Sequence, residues 1–220
     1  MNWRRWFGRQ SQSSPPQMLP SLLEGGPIFL VQHWMLMVTH HYGALEECAQ
    51  QVGISITEKQ SAQLFIQVCL FYDALWYFLL TQRILETNTI PHDQATEYVT
   101  ELRNLAMSTL ANDETLPESW RDWRIFESAE ETQVDSDFYL KGILPKDWED
   151  EYNKILNLSG CKRDGTTLEL TSRLYLRTFQ ILGLLGKREL LHILVFLNRQ
   201  SFQVQGYITN VLSKIVPLPS

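Results

Sequence analysis

At 220 residues, 44% hydrophobic and 20% charged, the chain has material for one good-sized domain or two small ones, and its composition is not that of a disordered segment. A net charge of −6 argues against a generic nucleic-acid coat. Cys48, Cys69 and Cys161 lie far apart with no CxxC or Cys/His spacing, which argues against a disulfide framework and points to a reducing, cytoplasmic setting.

The net charge conceals an uneven distribution. Residues 113–151 carry thirteen acids against four bases, whereas residues 152–220 carry nine bases against three acids. An acidic connector thus precedes a basic C-terminal third.

The first ten residues, MNWRRWFGRQ, place Trp3, Trp6 and Phe7 at i, i+3, i+4 with Arg4 and Arg5 beside them. In helical form such a segment has an aromatic face and a basic edge, suited to a partner's groove or a membrane interface. The paired arginines lack the following apolar stretch and small-residue cleavage site of an export signal. Residues 1–26 read as a flexible lead rich in Ser, Gln, Pro and Gly, and 27–216 as one helical domain, with a division into two lobes at 112–147 as the variant.

Pro27 suits a first helical turn. The pattern after it predicts a helix through IFLVQHWMLMVTHHY that bends near Gly43 and ends before Gly53. A short buried strand at 28–31 is the weaker reading. Thr57-Glu-Lys-Gln60 matches a capping box opening a helix over 58–86. That helix is apolar on nearly every side, which marks it as the centre of the fold. Its one interior acid, Asp73, falls at helical spacing among Ile66, Cys69, Tyr77, Leu80 and Ile84 and is expected to be buried with a partner. Gln60, Gln63 and Gln67 share another face.

Tyr98, Val99, Leu102, Leu105, Ala106 and Leu110 define a further amphipathic helix. Pro117 can open a short one carrying Trp120, Trp123 and Phe126. Helix resumes after Pro145 and ends at Gly160. Thr166-Thr-Leu-Glu169 is a second capping-box match, opening a helix expected to reach Leu185 and stop at Gly186. Two more follow, at 187–203 and 207–216, the first antiparallel to its predecessor. The sum is an all-α, compact bundle of seven to nine helices around the hydrophobic helix at 58–86, with no internal repeat.

Segments 62–80 and 179–197 approach membrane-spanning length, but Asp73 interrupts the first and Lys187, Arg188 and Glu189 the second. A central charge costs about 3 kcal/mol on insertion scales, which disfavours a spanning reading.

Four constellations bear on function. Residues 44–63 imitate the first half of a DNA-reading helix–turn–helix, but Lys59 falls where an apolar anchor is needed and the next helix is too apolar for a groove. His33, His40, Asp73 and the E-x-x-H pair Glu189 and His192 form a speculative metal set, incomplete because carboxylate-bridged helical sites use two such pairs. Glu169, Arg173 and Arg177, spaced i, i+4, i+8, read as a solvated ion-pair stripe, with Lys162-Arg163 and Lys187-Arg188 as further basic clusters. Trp3, Arg4, Arg5, Trp6, Phe7, Trp120, Trp123 and Phe126 are the candidate partner contacts.

No catalytic residue set emerges: the chain has no nucleophile–base order and no glycine-rich phosphate loop. The expected role is a non-enzymatic helical protein binding another protein, with no cofactor and no small-molecule substrate. Two alternatives stand beside it. One is a metal-dependent helical enzyme using the set above. The other is an anion-binding module, for lipid headgroups or nucleic acid, using the basic C-terminal third.

Overall fold

A computed structural model describes residues 26–87, 96–97, 100–101, 104–106, 108–109, 112–114, 138–139, 144, 148–159, 167–185, 193, 195, 199, 203 and 206–210. Pro27, as expected, stands in the first turn of α1, Gly26–Gln51. The helix takes in residues 28–31, so these are not a strand, and it passes through Gly43 without a break. A mid-helix glycine costs roughly 1 kcal/mol relative to alanine, which the flanking buried side chains outweigh. Val31, Trp34, Met35, Val38, Tyr42, Leu45 and Ala49 line one buried face at i, i+3, i+4 spacing.

α1 ends where Gly53 adopts φ +78°. Ile54 N–H donates to the Ala49 carbonyl at 2.8 Å and Gly53 N–H to that of Gln50 at 3.0 Å, the paired bonds of a Schellman cap. After the link 52–57, α2, Glu58–Thr87, opens with the expected capping box. Thr57 N–H donates to Gln60 Oε1 at 3.0 Å, and Gln60 N–H to Thr57 Oγ1 at 3.3 Å.

α3 spans Glu149–Ser159 and α4 spans Thr167–Ile181. α2 packs against both α1 and α4, and α3 lies against α4. The helix predicted as central is thus the hub of the described fold. Its run Leu64–Trp76 is buried at every position because neighbours cover it on two sides. α2 over Glu58–Arg83 is long and apolar enough to cross a membrane, and 78% of its most apolar window is covered by the rest of the protein.

The described residues are predominantly helical, with no strand among them. Six helices are counted among them rather than seven to nine, and the expected segments at 117–126 and most of 187–203 lie outside the described residues. α4 also ends earlier than expected, at Ile181 rather than Leu185. Gly183 takes the left-handed conformation at φ +64° and stops the helix, while Gly186 lies outside the described residues. Leu184 N–H closes the cap onto the Phe179 carbonyl at 2.7 Å. Leu184 is buried, so it supplies the apolar residue that this cap places after its glycine.

Gln60 performs a second task. Its Nε2 donates to the Ile181 carbonyl at 2.8 Å, satisfying an orphan acceptor at the end of α4. The start of α2 therefore lies at the end of α4, and the two helices pack in opposite directions. Replacing Gln60 with alanine removes half a capping box and this tie together. We expect a loss of about 1–2 kcal/mol, read as a lower urea midpoint at unchanged m-value.

The N-terminal segment 1–25 and most of the expected 187–203 helix lie outside the described residues. So do Tyr98, Val99, Leu102 and Leu110, while Leu105 and Ala106 of that segment are helical and turned inward as predicted.

Candidate functional site

The polar residues that matter most sit inside the fold. Glu169 and Arg173, one turn apart on α4, are 6% and 8% exposed. Arg173 Nη2 donates to Glu169 Oε1 at 2.5 Å. Its Nη1 donates to the backbone carbonyls of Phe138 at 3.1 Å and Tyr139 at 2.8 Å. Tyr152 of α3 reaches the same Glu169 oxygen with a long 3.4 Å contact. Tyr139 in turn donates from its hydroxyl to Gln67 Oε1 on α2 at 3.0 Å, both groups buried. Arg177 lies over the Trp148 ring at 4.4 Å and the Phe138 ring at 5.0 Å.

This arrangement corrects the solvated-stripe reading. The stripe is an internal ion pair that fastens the 138–139 segment to α2, α3 and α4. Charge spacing on one helix is the same for an exposed stripe and an internal pair; packing partners from elsewhere in the chain decide between them. Arg173 is accordingly committed within the fold, while half-buried Arg177 stacks on the Trp148 and Phe138 rings and donates to Gln180 Oε1 at 3.1 Å. Gln67 likewise departs from its expected polar face. It is buried, while Gln60 and Gln63 are half-buried.

A second buried pair joins α1 to α2. His41 is 1% exposed, and its Nδ1 lies 2.8 Å from the Tyr72 hydroxyl. Its ring meets those of Phe71 and Tyr72 edge-on. Among the described residues its Nε2 has no hydrogen-bond partner. Burial, with a smaller contribution from neighbouring His40, lowers its pKa to about 4, so the ring is neutral at pH 7. Sequence reasoning overlooked His41 in favour of its neighbours. The available signal was the apolar stripe Val31, Trp34, Val38, Leu45 and Cys48, in whose register position 41 falls.

The speculative metal set fares differently. His33 is half-buried, and its Nδ1 is engaged with the Tyr207 hydroxyl. His40 is exposed, whereas Asp73 is only 4% exposed. Among the described residues no three His, Cys, Asp or Glu side chains are grouped to hold an ion. Glu189 and His192 lie outside the described residues.

Asp73 points into the core as expected and is engaged within the fold. One turn away, Cys69 has its thiol pKa raised, first by burial and second by the Asp73 charge, which makes it a poor nucleophile. Trp3, Arg4, Arg5, Trp6, Phe7, Trp120, Trp123 and Phe126, the candidate partner contacts, all lie outside the described residues.

The outward side of α2 carries one large aromatic. Phe78 is 47% exposed, between half-buried Tyr77 and Leu79. No family model, curated protein or solved structure matches the chain.

Proposed function

We propose that the chain is a helical bundle that acts by binding another protein rather than by catalysis. The observation that carries the reading is Phe78, an aromatic presented outward by the helix that organises the fold. Exposed aromatics of this kind anchor interfaces out of proportion to their number. The titratable groups best suited to chemistry support the same reading. His41 is spent on Tyr72, His33 on Tyr207 and Glu169 on Arg173, each joining one part of the fold to another or stiffening a helix. The aromatic-basic segment Trp3, Arg4, Arg5, Trp6 and Phe7, and the cluster Trp120, Trp123 and Phe126, belong to the proposal on sequence grounds alone. A cytoplasmic setting belongs to it too. Cys48 and Cys69 are free and buried, in keeping with that setting.

A photo-crosslinking residue at position 78, compared with one at exposed Glu47 on α1, tests the assignment in cells. A discrete protein adduct is expected at 78 and not at 47, and Phe78→Glu should abolish the adduct formed from a crosslinker at neighbouring Gln82. Adducts of equal yield at both positions, or none at 78, would remove Phe78 as the anchor.

A further inference from the structure

The seam between α1 and α2 is closed over a titratable ring, His41, and no group among the described residues receives its second proton. We infer that His41 makes this seam an acid-sensitive joint: when the ring is protonated, α1 parts from α2 while α3 and α4 stay packed.

Neutral His41 can accept from the Tyr72 hydroxyl at Nδ1 or donate to it, and either choice is compatible with the 2.8 Å contact. The cation has no choice. Both ring nitrogens then carry protons, Tyr72 can only accept at Nδ1, and Nε2–H meets no acceptor among the described residues. A charged donor without a partner in a 1% exposed position is a strong reason for the seam to open and let water in.

The charged and titratable surroundings do not relieve it. From α2 the titratable group at the ring is Tyr72, whose phenol is held well above its ordinary pKa by burial and so offers no negative charge. The Phe71 ring stands in a T-shaped arrangement with that of His41, 6.1 Å between centroids, and carries no charge. From α1 itself, neighbouring His40 acts on His41 in the same direction as burial, against a charge on the ring. Among the described residues no carboxylate acts on the ring.

The effect is local because of how the helices are arranged. α1 packs on α2, whereas α4 packs on α2 and α3 and is fastened by the Arg173 node. Parting α1 from α2 leaves those contacts in place.

The direction with pH follows from the lowered pKa. The open seam takes up a proton below about 6.5, the closed one only below about 4. Closure is complete above pH 6.5, weakens steadily as pH falls from 6.5 to 4, and changes no further beneath that. Carboxylates with ordinary pKa values begin to titrate near the lower end of this window, so pH 5 is the informative condition.

Hydrogen exchange of the full chain at pH 7.5 and 5.0, corrected for intrinsic rates, is the test. In peptides from α1 the open fraction should rise about thirtyfold at pH 5.0, against less than about threefold in α3 and α4. His41→Gln, which keeps a hydrogen-bonding group near Tyr72 without titrating, should bring the α1 rise down to the α4 level. His40→Gln should retain it. An equal rise in all helices, or a full rise in His41→Gln, overturns the joint. Should His41→Gln fail to fold, imidazole NMR of the unaltered chain decides instead. A ring that titrates near pH 6.5 in the folded protein overturns the proposal, and one still neutral at pH 5 in the closed form upholds it.

Discussion

Arg173→Ala should be among the most damaging single substitutions in the protein, lowering unfolding free energy by about 3–5 kcal/mol. Truncation leaves Glu169 buried without its closest partner and frees the carbonyls of Phe138 and Tyr139 at the same moment. Both consequences act in one place, so the loss should exceed that of an exposed i, i+4 pair, which is worth only tenths of a kcal/mol. The paired replacement Arg173→Met with Glu169→Leu should recover part of the loss, because two buried charges leave together. Urea unfolding of Arg173→Met, of Glu169→Leu and of the double gives the coupling directly. A single-mutant loss under about 1 kcal/mol would mean that the node is solvated.

Phe65→Ala should rival it, with a loss of about 3–5 kcal/mol. Phe65 is fully buried in α2 and meets the Tyr42 ring edge-on at 5.5 Å. Removing it opens a cavity on the α1 side of the hub, and α2 is packed on its other side by α4 and has little freedom to collapse into it. The lost edge-to-face contact contributes about 0.5–1.5 kcal/mol of the total. Phe65→Leu should be markedly milder, because it keeps most of the volume. Thermal and urea denaturation separate the two; equal losses would show that ring geometry rather than volume governs the site.

The parts of this fold that were legible in the sequence are those encoded locally. Thr57 and Gln60 announced the start of α2, Gly53 the end of α1, and the apolar run Leu64–Trp76, interrupted only by Gln67 and Asp73, the hub. Asp73 could be placed inside because helical periodicity alone sets its direction. What stayed hidden depends on contacts made at a distance. Nothing within α4 distinguishes Glu169 and Arg173 from a surface pair; the difference lies in Tyr152 and in two carbonyls some 35 residues away. The end of α4 was misplaced for a subtler reason. Gly183 and Gly186 are equally good glycines, but only the first is followed by an apolar residue, Leu184, that the core can cover. Lys187 follows the second. His41 was hidden by its neighbours, since three histidines within nine residues invite a ligand reading and one register position decides which of them is inside.

The tie between Gln60 and the Ile181 carbonyl spans 121 positions of sequence. α1 and α2, by contrast, are separated by a link of a few residues and can pair almost as soon as both have been synthesised. The order of assembly on the ribosome follows. The first hairpin emerges with one flank of its greasy second helix uncovered, and that flank waits for α4 through the translation of roughly a hundred further residues, several seconds at ordinary elongation rates. During that interval the nascent chain is a natural client for chaperones, and truncated or stalled products ending before α4 should be the form in which this protein aggregates.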